Sequence, residues 1–576
     1  MIQKEELISK IMEMADLSND EKAEIIGSLR KAKKYGLVWE DHPEDAEQRL
    51  KSAFPVLREV KELAINSSPF KGDERGSSPN HILIEGDNLE ALMALSYTHE
   101  GKVDVIYIDP PYNTGNKDFI YNDCIVDSED GYRHSKWLSF MEKRLRLAKK
   151  LLSDKGVIFI SIDDNEQANL KLLCDEVFGE INGLGPILWK KKTNGNNMGL
   201  IPPVHDYILA YANSIENLSL SNFGYPLTDE YISRTYSNPD NDPRGLWTTT
   251  DLSANHKGPY FPITNPLTGE VHYPSKGRYW VFNETEVERR IKEGLIIFGK
   301  SGNAKPVQRV FLKDRELKRI AVESWWDKHG LNADGTVELG EIFGEAKKFI
   351  HPKPTITIKK IIEVASANSN ALILDFFAGS GTTLHATMQL NAEDGGHRQC
   401  ILVTNNENNI CRDVTYERNK RVIQGYTTPK GVAVEGLSAN NLRYYTMDFL
   451  PREYTNEAKR ELMRAATDML CIKEGIYNEV REFCGMKFKP SILRYFKESD
   501  GRQMLLVFDE RVIEHIVPMM ATIEGKLKIY VFSNGAYAYE DEFQELRDKV
   551  ELCALPEALL QVYKQVLPQN DEEVRI

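Results

Sequence analysis

The tetrapeptide Asp109-Pro110-Pro111-Tyr112 carries groups that suit an exocyclic amine on a planar base. It follows "VDVIYI", an apolar run that predicts a strand, and ligands of open parallel sheets bind beyond the carboxyl ends of strands. The two prolines remove two backbone donors and fix φ. Asp109 and the Pro110 carbonyl could each accept one N–H of the amine, while Tyr112 stacks on the ring. A rigid turn with an Asp cap is the structural alternative.

A second motif, "ALILDFFAGSGTTLHA", predicts a strand, an acidic residue, a glycine turn and a helix. Gly379 and Gly381 permit close backbone approach, and the helix N-terminus offers free N–H groups, as in nucleotide-type cofactor loops. The G-x-G-x-x-G spacing and the Gly-Lys-Ser/Thr of a P-loop are both missing. Glu407 closes the next predicted strand, where an acidic residue suits ribose hydroxyls. A structural turn and a solvated strand end remain the alternatives.

Strand and helix patterns alternate around both motifs, which predicts a parallel α/β sheet. The first 62 residues carry helical periodicity, whereas Pro, Gly, Asn, Thr and aromatic residues predict short strands and loops between the two motifs. We therefore predict one α/β domain split by an insert and flanked by two further regions. The predicted boundaries are 1–75 (helical), 76–215 (first part of the α/β domain), 216–345 (insert), 346–430 (second part) and 431–576 (mixed α+β).

Composition restricts the class of protein. The 576 residues include 41% hydrophobic and 28% charged residues, an ordinary globular mix. We find no apolar run near ~18 residues and no apolar h-region at the N-terminus, so neither a membrane span nor a secretory signal is expected. Seven scattered cysteines without a C-x-x-C pair fit a reducing cytoplasm.

The two motifs together resemble S-adenosylmethionine-dependent amino-methyltransferases of DNA. Because the D-P-P-Y turn precedes the glycine loop, with an insert between, the order is similar to that of the β class, in which the insert is the target recognition domain. The strings "DPPYNTGNKDFIYND", "HDYILAYA" and "HPKPTITIKKII" resemble modification (Mod) subunits of type III restriction–modification systems. The implied fold is a Rossmann-like S-adenosylmethionine-dependent methyltransferase domain interrupted by a target recognition domain.

The resemblance implies roles for individual residues. Asp109, Pro110, Pro111 and Tyr112 would form the catalytic base pocket. Residues of several segments would bind the cofactor: Asp87, Asn88, Lys353, Asp375, Phe376, Phe377, Ala378, Gly379, Ser380, Gly381, Thr382 and Glu407. Within that set, Asp87 and Asn88 would lie by the adenine, Lys353 near the methionine carboxylate and Glu407 on the ribose. For Asp87 and Asn88 a helix N-cap is the alternative.

The implied activity is transfer of a methyl group from S-adenosyl-L-methionine to the N6 amine of adenine in double-stranded DNA, with the base extruded from the duplex. No metal and no covalent intermediate are expected. The implied partners are double-stranded DNA, a second copy of the chain and a restriction (helicase–nuclease) subunit, in a prokaryotic cytoplasm.

Alternatives remain open at this point. They are a stand-alone adenine methyltransferase, a cytosine-N4 methyltransferase and a catalytically silent DNA-binding module. The cytosine-N4 group more often has Ser where this chain has Asp109. RNA and protein-amide methyltransferases usually place the cofactor loop before the catalytic turn, which is the opposite order.

The net charge of −14 argues against a nucleic-acid partner. Charge is unevenly distributed, however, because residues 182–330 carry 19 Lys and Arg against 16 Asp and Glu. The candidate DNA contacts are the basic run Lys190, Lys191 and Lys192, and the pair Lys276 and Arg278 in the aromatic string "HYPSKGRYW". A solvated surface turn is the alternative for the basic run.

Overall fold

The computed structural model describes most of the chain. The described residues are Lys22, 39–40, 42–66, 78–115, 119–121, 124–126, 129–195, 200–299, 302–315, 319–345, 348–451, 456–532 and 539–553. Most of the predicted N-terminal helical stretch therefore lies outside them. By internal contacts the chain divides into two units, the first being Met1–Ile215, Ser324–Ile361 and Ser369–Ile576, and the second Glu216–Glu323 and Ile362–Asn368.

A ten-stranded mixed sheet forms the centre of the first unit. Its strands lie in the spatial order Ala53–Glu59, Asn441–Pro451, Asn80–Glu85, Gln399–Thr404, Leu372–Asp375, Val103–Ile108, Leu152–Ile162, His205–Ala212, Gly183–Lys190 and Trp325–Trp326. The pairs from the second of these strands to the seventh are parallel, and the next two pairs are antiparallel. Central parallel strands are covered on both faces, which is why they are near-continuous apolar runs. The predicted parallel α/β sheet is confirmed.

The register of three central strands decides where the site lies. Leu372–Asp375 pairs in parallel with Gln399–Thr404 on one side and with Val103–Ile108 on the other. Since parallel strands end at the same edge, the segments that follow these strands lie side by side. Asp109 and the glycine turn after Asp375, which are far apart in the sequence, therefore meet at one sheet edge.

Helices accompany this sheet. They are Asp45–Ser52, Asn88–His99, Arg133–Leu151, Gln167–Phe178, Asn332–Phe343, Thr355–Ala365, Thr382–Asp394 and Glu417–Gln424. Arg133–Leu151 shows how they pack, because its buried apolar residues Trp137, Met141 and Leu145 belong to the main hydrophobic cluster. The helix Asn332–Phe343 ends where Gly344 adopts the left-handed conformation at φ +78°.

At the N-terminal end of the described chain, part of the predicted helical stretch is a strand. Ala53–Glu59 pairs antiparallel with Asn441–Pro451 and buries Val56 and Leu57. Pro55 disfavours a helix interior, and the open edge of the sheet supplies the strand partner that local periodicity cannot reveal.

The C-terminal part of the first unit has the predicted mixed α+β character. A helix, Asn456–Glu474, precedes a five-stranded sheet, and a shorter helix, Ile513–Met520, follows its third strand. The strands are Glu479–Val480, Leu493–Lys497, Gln503–Val507, Leu527–Val531 and Val550–Cys553.

In its described residues, the second unit consists of short strands, helices and long connections. Its sheets are Trp247–Asp251 with Val307–Phe311 and Ile296–Ile297, Ser253–Ala254 with Tyr279–Trp280, Ile263–Thr264 with Val271–His272, and Tyr225–Pro226 with Arg319–Ile320. Its described helices include Asp229–Thr235 and Glu284–Lys292. The longer of the two segments of this unit ends at Glu323, whereas the predicted insert extends to residue 345.

No helix among the residues that the structure describes is long and apolar enough to cross a membrane.

Candidate active site

The D-P-P-Y turn, residues 109–112, follows the strand Val103–Ile108 and is held by two more distant elements. The indole Nε1 of Trp137 donates to the Pro111 carbonyl at 2.7 Å. Asn113, left-handed at φ +56°, is buried and donates through Nδ2 to Glu166 at 2.5 Å. The turn is therefore held at the Pro111 carbonyl and at Asn113, the residue that follows it. Sequence reasoning missed all three supports, although an Asn just after the turn is a residue type that tolerates left-handed backbone.

The side chain of Lys353 contacts the D-P-P-Y turn. Its Nζ is 2.6 and 2.5 Å from the two carboxylate oxygens of Asp109, and it donates to the Tyr112 hydroxyl at 3.0 Å. Burial and the nearby Asp109 carboxylate raise the pKa of Tyr112 well above its ordinary value, so the phenol stays neutral. The structure thus brings Lys353 into the predicted base pocket. Its predicted contact with the cofactor carboxylate stays a prediction.

Asp206, a buried carboxylate in the strand His205–Ala212, interacts electrostatically with Lys353 and Asp109. Burial raises its pKa, and the positive charges of Lys191 and Lys353 oppose that rise. Lys191 Nζ lies 2.6 Å from Asp206 Oδ1. Of the basic run predicted to contact DNA, Lys191 is therefore engaged inside the protein, while Lys190 ends the strand Gly183–Lys190 and Lys192 follows it.

The glycine loop, residues 375–381, begins at the buried Asp375. One oxygen of this carboxylate accepts the Phe377 N–H at 3.0 Å, and the other accepts the Thr383 hydroxyl at 2.5 Å. Burial nevertheless raises the pKa of Asp375 to about 7. An acidic group that titrates near neutrality thus lies at the base of the loop.

Two glycines of this loop are left-handed, with φ of +48° at Gly379 and +73° at Gly381. A Cβ atom on Gly381 would lie 2.4 Å from Asn419 Nδ2, so only glycine fits without a shift. The helix Thr382–Asp394 starts directly after it. The loop therefore presents backbone, not side chains, at the N-terminus of a helix.

A buried arginine donates hydrogen bonds to the glycine loop and to the first residue of the helix that follows it. Arg418 donates to the Thr382 hydroxyl at 2.7 Å and to the Ser380 hydroxyl at 3.2 Å, and it pairs with Glu338 at 3.1 Å. Sequence reasoning missed Arg418 and Glu338, because neither adjoins a motif.

Asp87 and Asn88 lie at the start of the helix Asn88–His99, and their predicted place by the adenine of the cofactor stays a prediction. Asp87 caps the helix Asn88–His99 by accepting the Leu89 N–H at 2.8 Å, which is the N-cap alternative. Asn88 donates to the Phe376 carbonyl at 3.0 Å, so this corner touches the glycine loop. Arg144 donates to Asn88 and holds Glu44 through two contacts of 2.9 Å. The N-terminal region therefore reaches this corner through Glu44.

Glu407 lies beyond the strand Gln399–Thr404, next to the strand that carries the glycine loop. It is exposed, and the following Asn408 and Asn409 are left-handed, at φ +51° and +59°. The turn thus places a solvent-facing carboxylate at the sheet edge that holds the other predicted cofactor residues. Its predicted role on a ribose stays a prediction.

In the second unit, Lys276 is exposed, whereas Arg278 is engaged within the unit. Arg278 pairs with Asp251 at 2.7 Å and donates to Ser253 Oγ and Asn255 Oδ1, both at 2.8 Å. Contact of either residue with DNA stays a prediction. Within the described ranges, no group of three or more His, Cys, Asp or Glu side chains could hold a metal ion.

A family of DNA methylases matches residues 103–415, a span that begins at the strand before the D-P-P-Y turn and ends beyond the glycine loop. The chain is 39% identical over 353 residues to the type III restriction-modification enzyme StyLTI Mod subunit of Salmonella typhimurium, covering 56% of this chain and 52% of that protein. It is 31% identical to the EcoP15I Mod subunit of Escherichia coli, covering 64% of each.

The chain thus spans about half to under two thirds of these two relatives. The type II methyltransferase M.KpnI of Klebsiella pneumoniae is 37% identical over 375 residues, which cover 61% of this chain and 86% of that enzyme.

Proposed function

The chain belongs to the DNA methylase family, and we propose that it transfers a methyl group from S-adenosyl-L-methionine to the N6 amine of adenine in double-stranded DNA. The observation that carries this proposal is the adjacency of the D-P-P-Y turn and the glycine loop at the ends of two paired strands. Neither motif is sufficient alone, since one offers acceptors for an amine and the other a backbone cradle for a cofactor.

The residues present fit such a cofactor. The left-handed Gly379 and Gly381 leave room for close backbone approach, and the buried Asp375 carboxylate suits a ligand of net positive charge. Asn88 by the loop and the exposed Glu407 would take the nucleoside part, at the adenine and the ribose respectively. When bound, the cofactor supplies an electrophilic methyl group on a sulfonium.

The base pocket then needs only to orient the target amine. Asp109 would accept one N–H of the amine and the Pro110 carbonyl the other, which favours localisation of the nitrogen lone pair. Tyr112 would stack on the extruded ring and offset part of the few kcal/mol that unstacking costs. The remaining effect is proximity and electrostatics, because no covalent intermediate is required.

We favour adenine over cytosine because Asp109 occupies the position where cytosine-N4 enzymes more often have Ser. The second unit, Glu216–Glu323 with Ile362–Asn368, is our candidate for the target recognition domain. Of its two candidate DNA contacts, Arg278 pairs with Asp251. Lys276 is exposed and makes no ion pair with a described residue.

For assembly, we propose a modification subunit that dimerises and works with a restriction subunit in a prokaryotic cytoplasm. Two relatives named Mod subunits of type III restriction-modification enzymes support this assignment. A stand-alone methyltransferase is the second candidate, and it is favoured by the similarity to a type II methyltransferase over 86% of that enzyme.

Long-read sequencing of DNA from cells with and without the gene tests the activity and reports the modified base with its sequence context. We expect N6-methyladenine at one short sequence, and its loss in cells that carry the Asp109→Ala variant. Methylcytosine at N4 would overturn the choice of base. No methylation of any base, combined with normal S-adenosyl-L-methionine binding by the purified chain, would overturn the enzyme assignment.

A further inference from the structure

We propose that Lys353 is a positioning residue of the base pocket, which holds Asp109 and Tyr112 in the arrangement that receives the target amine, and that it is not a ligand of the cofactor carboxylate. This inference rests on the proposed methyl transfer and goes further, since it assigns the Lys353 side chain to the base pocket and not to the cofactor site.

The hydrogen bonds of the ammonium group carry the inference. A lysine ammonium has three N–H donors. Lys353 Nζ contacts Asp109 Oδ1 at 2.6 Å, Asp109 Oδ2 at 2.5 Å and the Tyr112 hydroxyl at 3.0 Å. These contacts use all three donors, so a bond to a cofactor carboxylate would require one of them to break.

The surroundings of the ammonium favour this arrangement. The Lys353 side chain is only 10% exposed, and Nζ lies 5.2 Å from the centre of the Tyr112 ring and 6.0 Å from that of Trp189. A buried ammonium without a carboxylate partner would be costly, and Asp109 supplies that partner. The positive charge of Lys353 also opposes the rise that burial causes in the pKa of the nearby Asp206.

The backbone that carries Lys353 is constrained on both sides. Pro352 and Pro354 flank it, and His351 before them is left-handed at φ +57°. The helix Asn332–Phe343 packs so closely that a Cβ on Gly335 would lie 2.2 Å from the Pro352 carbonyl oxygen. The side chain therefore starts from a fixed point, which a positioning residue requires.

The same residue also touches the glycine loop, but through its backbone. The Thr382 hydroxyl donates to the Lys353 carbonyl at 3.2 Å. Lys353 thus joins the first helical residue after the loop to the carboxylate of the base pocket. Substitution of its side chain leaves the backbone contact available, so the two halves of the site can be tested separately.

Asp109 keeps capacity for the target amine in this arrangement. An ionised carboxylate offers about four lone-pair sites, and Lys353 takes two of them. Lys353 also fixes the Tyr112 hydroxyl, and with it the ring plane that would stack on the base. We therefore expect loss of Lys353 to misplace both groups without removing either.

The test compares Lys353→Gln and Lys353→Arg with the control Lys359→Gln. Lys359 lies six residues further along the same segment and pairs with Glu393 on the surface. We would measure S-adenosyl-L-methionine affinity by titration calorimetry, and kcat and KM on a duplex containing the methylated sequence found by sequencing. The fluorescence of 2-aminopurine at the target position reports base extrusion.

We expect Lys353→Gln to lower kcat by about 10²-fold, as for removal of one preorganised donor, while the cofactor Kd stays within about twofold of the wild type. Lys353→Arg should recover part of kcat, because it restores the charge, and Lys359→Gln should match the wild type. A cofactor Kd weakened by about tenfold or more with kcat unchanged would overturn the proposal.

A double variant separates positioning from a general loss of folding. If Lys353 acts through Asp109, adding Lys353→Gln to Asp109→Asn should lower the residual kcat by less than about threefold, because the group it positions is already altered. Equal losses in both backgrounds would contradict the proposal. An inactive wild-type chain would instead count against the proposed function, so the two failures are distinguishable.

Discussion

The D-P-P-Y turn and the glycine loop lie at the ends of neighbouring strands, yet they are held in different ways. The glycine loop has bonds within its own segment, since Asp375 bonds to residues two and eight positions later, and Asn88 and Arg418 add support from other segments. The D-P-P-Y turn is organised from outside, by partners of Pro111, Asn113 and Asp109 that lie 26, 53 and 244 residues away.

This difference has consequences for binding and catalysis. Because part of its support lies within its own segment, the loop should bind its ligand with less dependence on the rest of the site. A pocket assembled from distant elements should respond to changes in each of them. We therefore expect cofactor affinity and methyl transfer to respond to different substitutions.

The largest expected effect concerns the turn alone. Asp109→Ala should lower kcat by at least about 10³-fold, because it removes the acceptor of the amine, while S-adenosyl-L-methionine affinity largely survives. Transfer of a labelled methyl group and titration calorimetry measure the two effects. Asp109→Asn is the matched variant of the same size. Full activity in Asp109→Ala would remove the base-pocket assignment.

The converse change concerns the loop. Gly381→Arg should weaken cofactor binding by about 10²-fold or more, because φ is +73° there and a Cβ would lie 2.4 Å from Asn419. Calorimetry measures the affinity, and circular dichroism checks the fold. Gly131→Ala is the control, since no atom lies within 4 Å of a Cβ at that glycine. Normal affinity in Gly381→Arg would contradict the loop assignment.

A pH dependence would sharpen the comparison further. The pKa of Asp375 is raised to about 7 by burial, so the carboxyl ionises only as the pH rises through that value. A positively charged cofactor binds the ionised form better, so its Kd should fall by up to about eightfold between pH 6 and pH 7.5.

In Asp375→Asn this pH dependence of the cofactor Kd should disappear. A pH dependence that persists would show that another group causes it. The corresponding effect on folding has the opposite sign. Because the folded protein holds the proton more tightly than the unfolded chain, Asp375 lowers the free energy of unfolding as the pH rises from about 4 to 7.

The smallest expected effect tests the outside support of the turn. Trp137→Phe removes the 2.7 Å bond to the Pro111 carbonyl, a net contribution of about 1 kcal/mol, so kcat should fall at most about fivefold. Cofactor affinity should not change. Tyr211→Phe is the control, because it removes a bond of similar length, to Asp175, in another part of the unit. Equal effects of the two variants on kcat would show that the turn does not depend on Trp137.

Much of the fold was predictable because its signals are local. The strands Val103–Ile108 and Leu372–Asp375 are short apolar runs, and the residues that follow them form compact motifs. The strand Ala53–Glu59 was not predictable in this way, since its partner, Asn441–Pro451, lies several hundred residues further along the chain. The local periodicity of a sequence carries no information about pairing between such distant strands.

The sequence by itself determined which groups are available: the carboxylate and ring of the D-P-P-Y turn, the glycines of the loop, and a locally basic segment between them. Only the tertiary structure decided how they are partnered, with Lys353 on Asp109 and Lys191 on Asp206. The physical reason is that a turn or a glycine conformation is a property of a few adjacent residues. An ion pair between distant segments depends on which strands lie side by side and on how fully the side chains are buried.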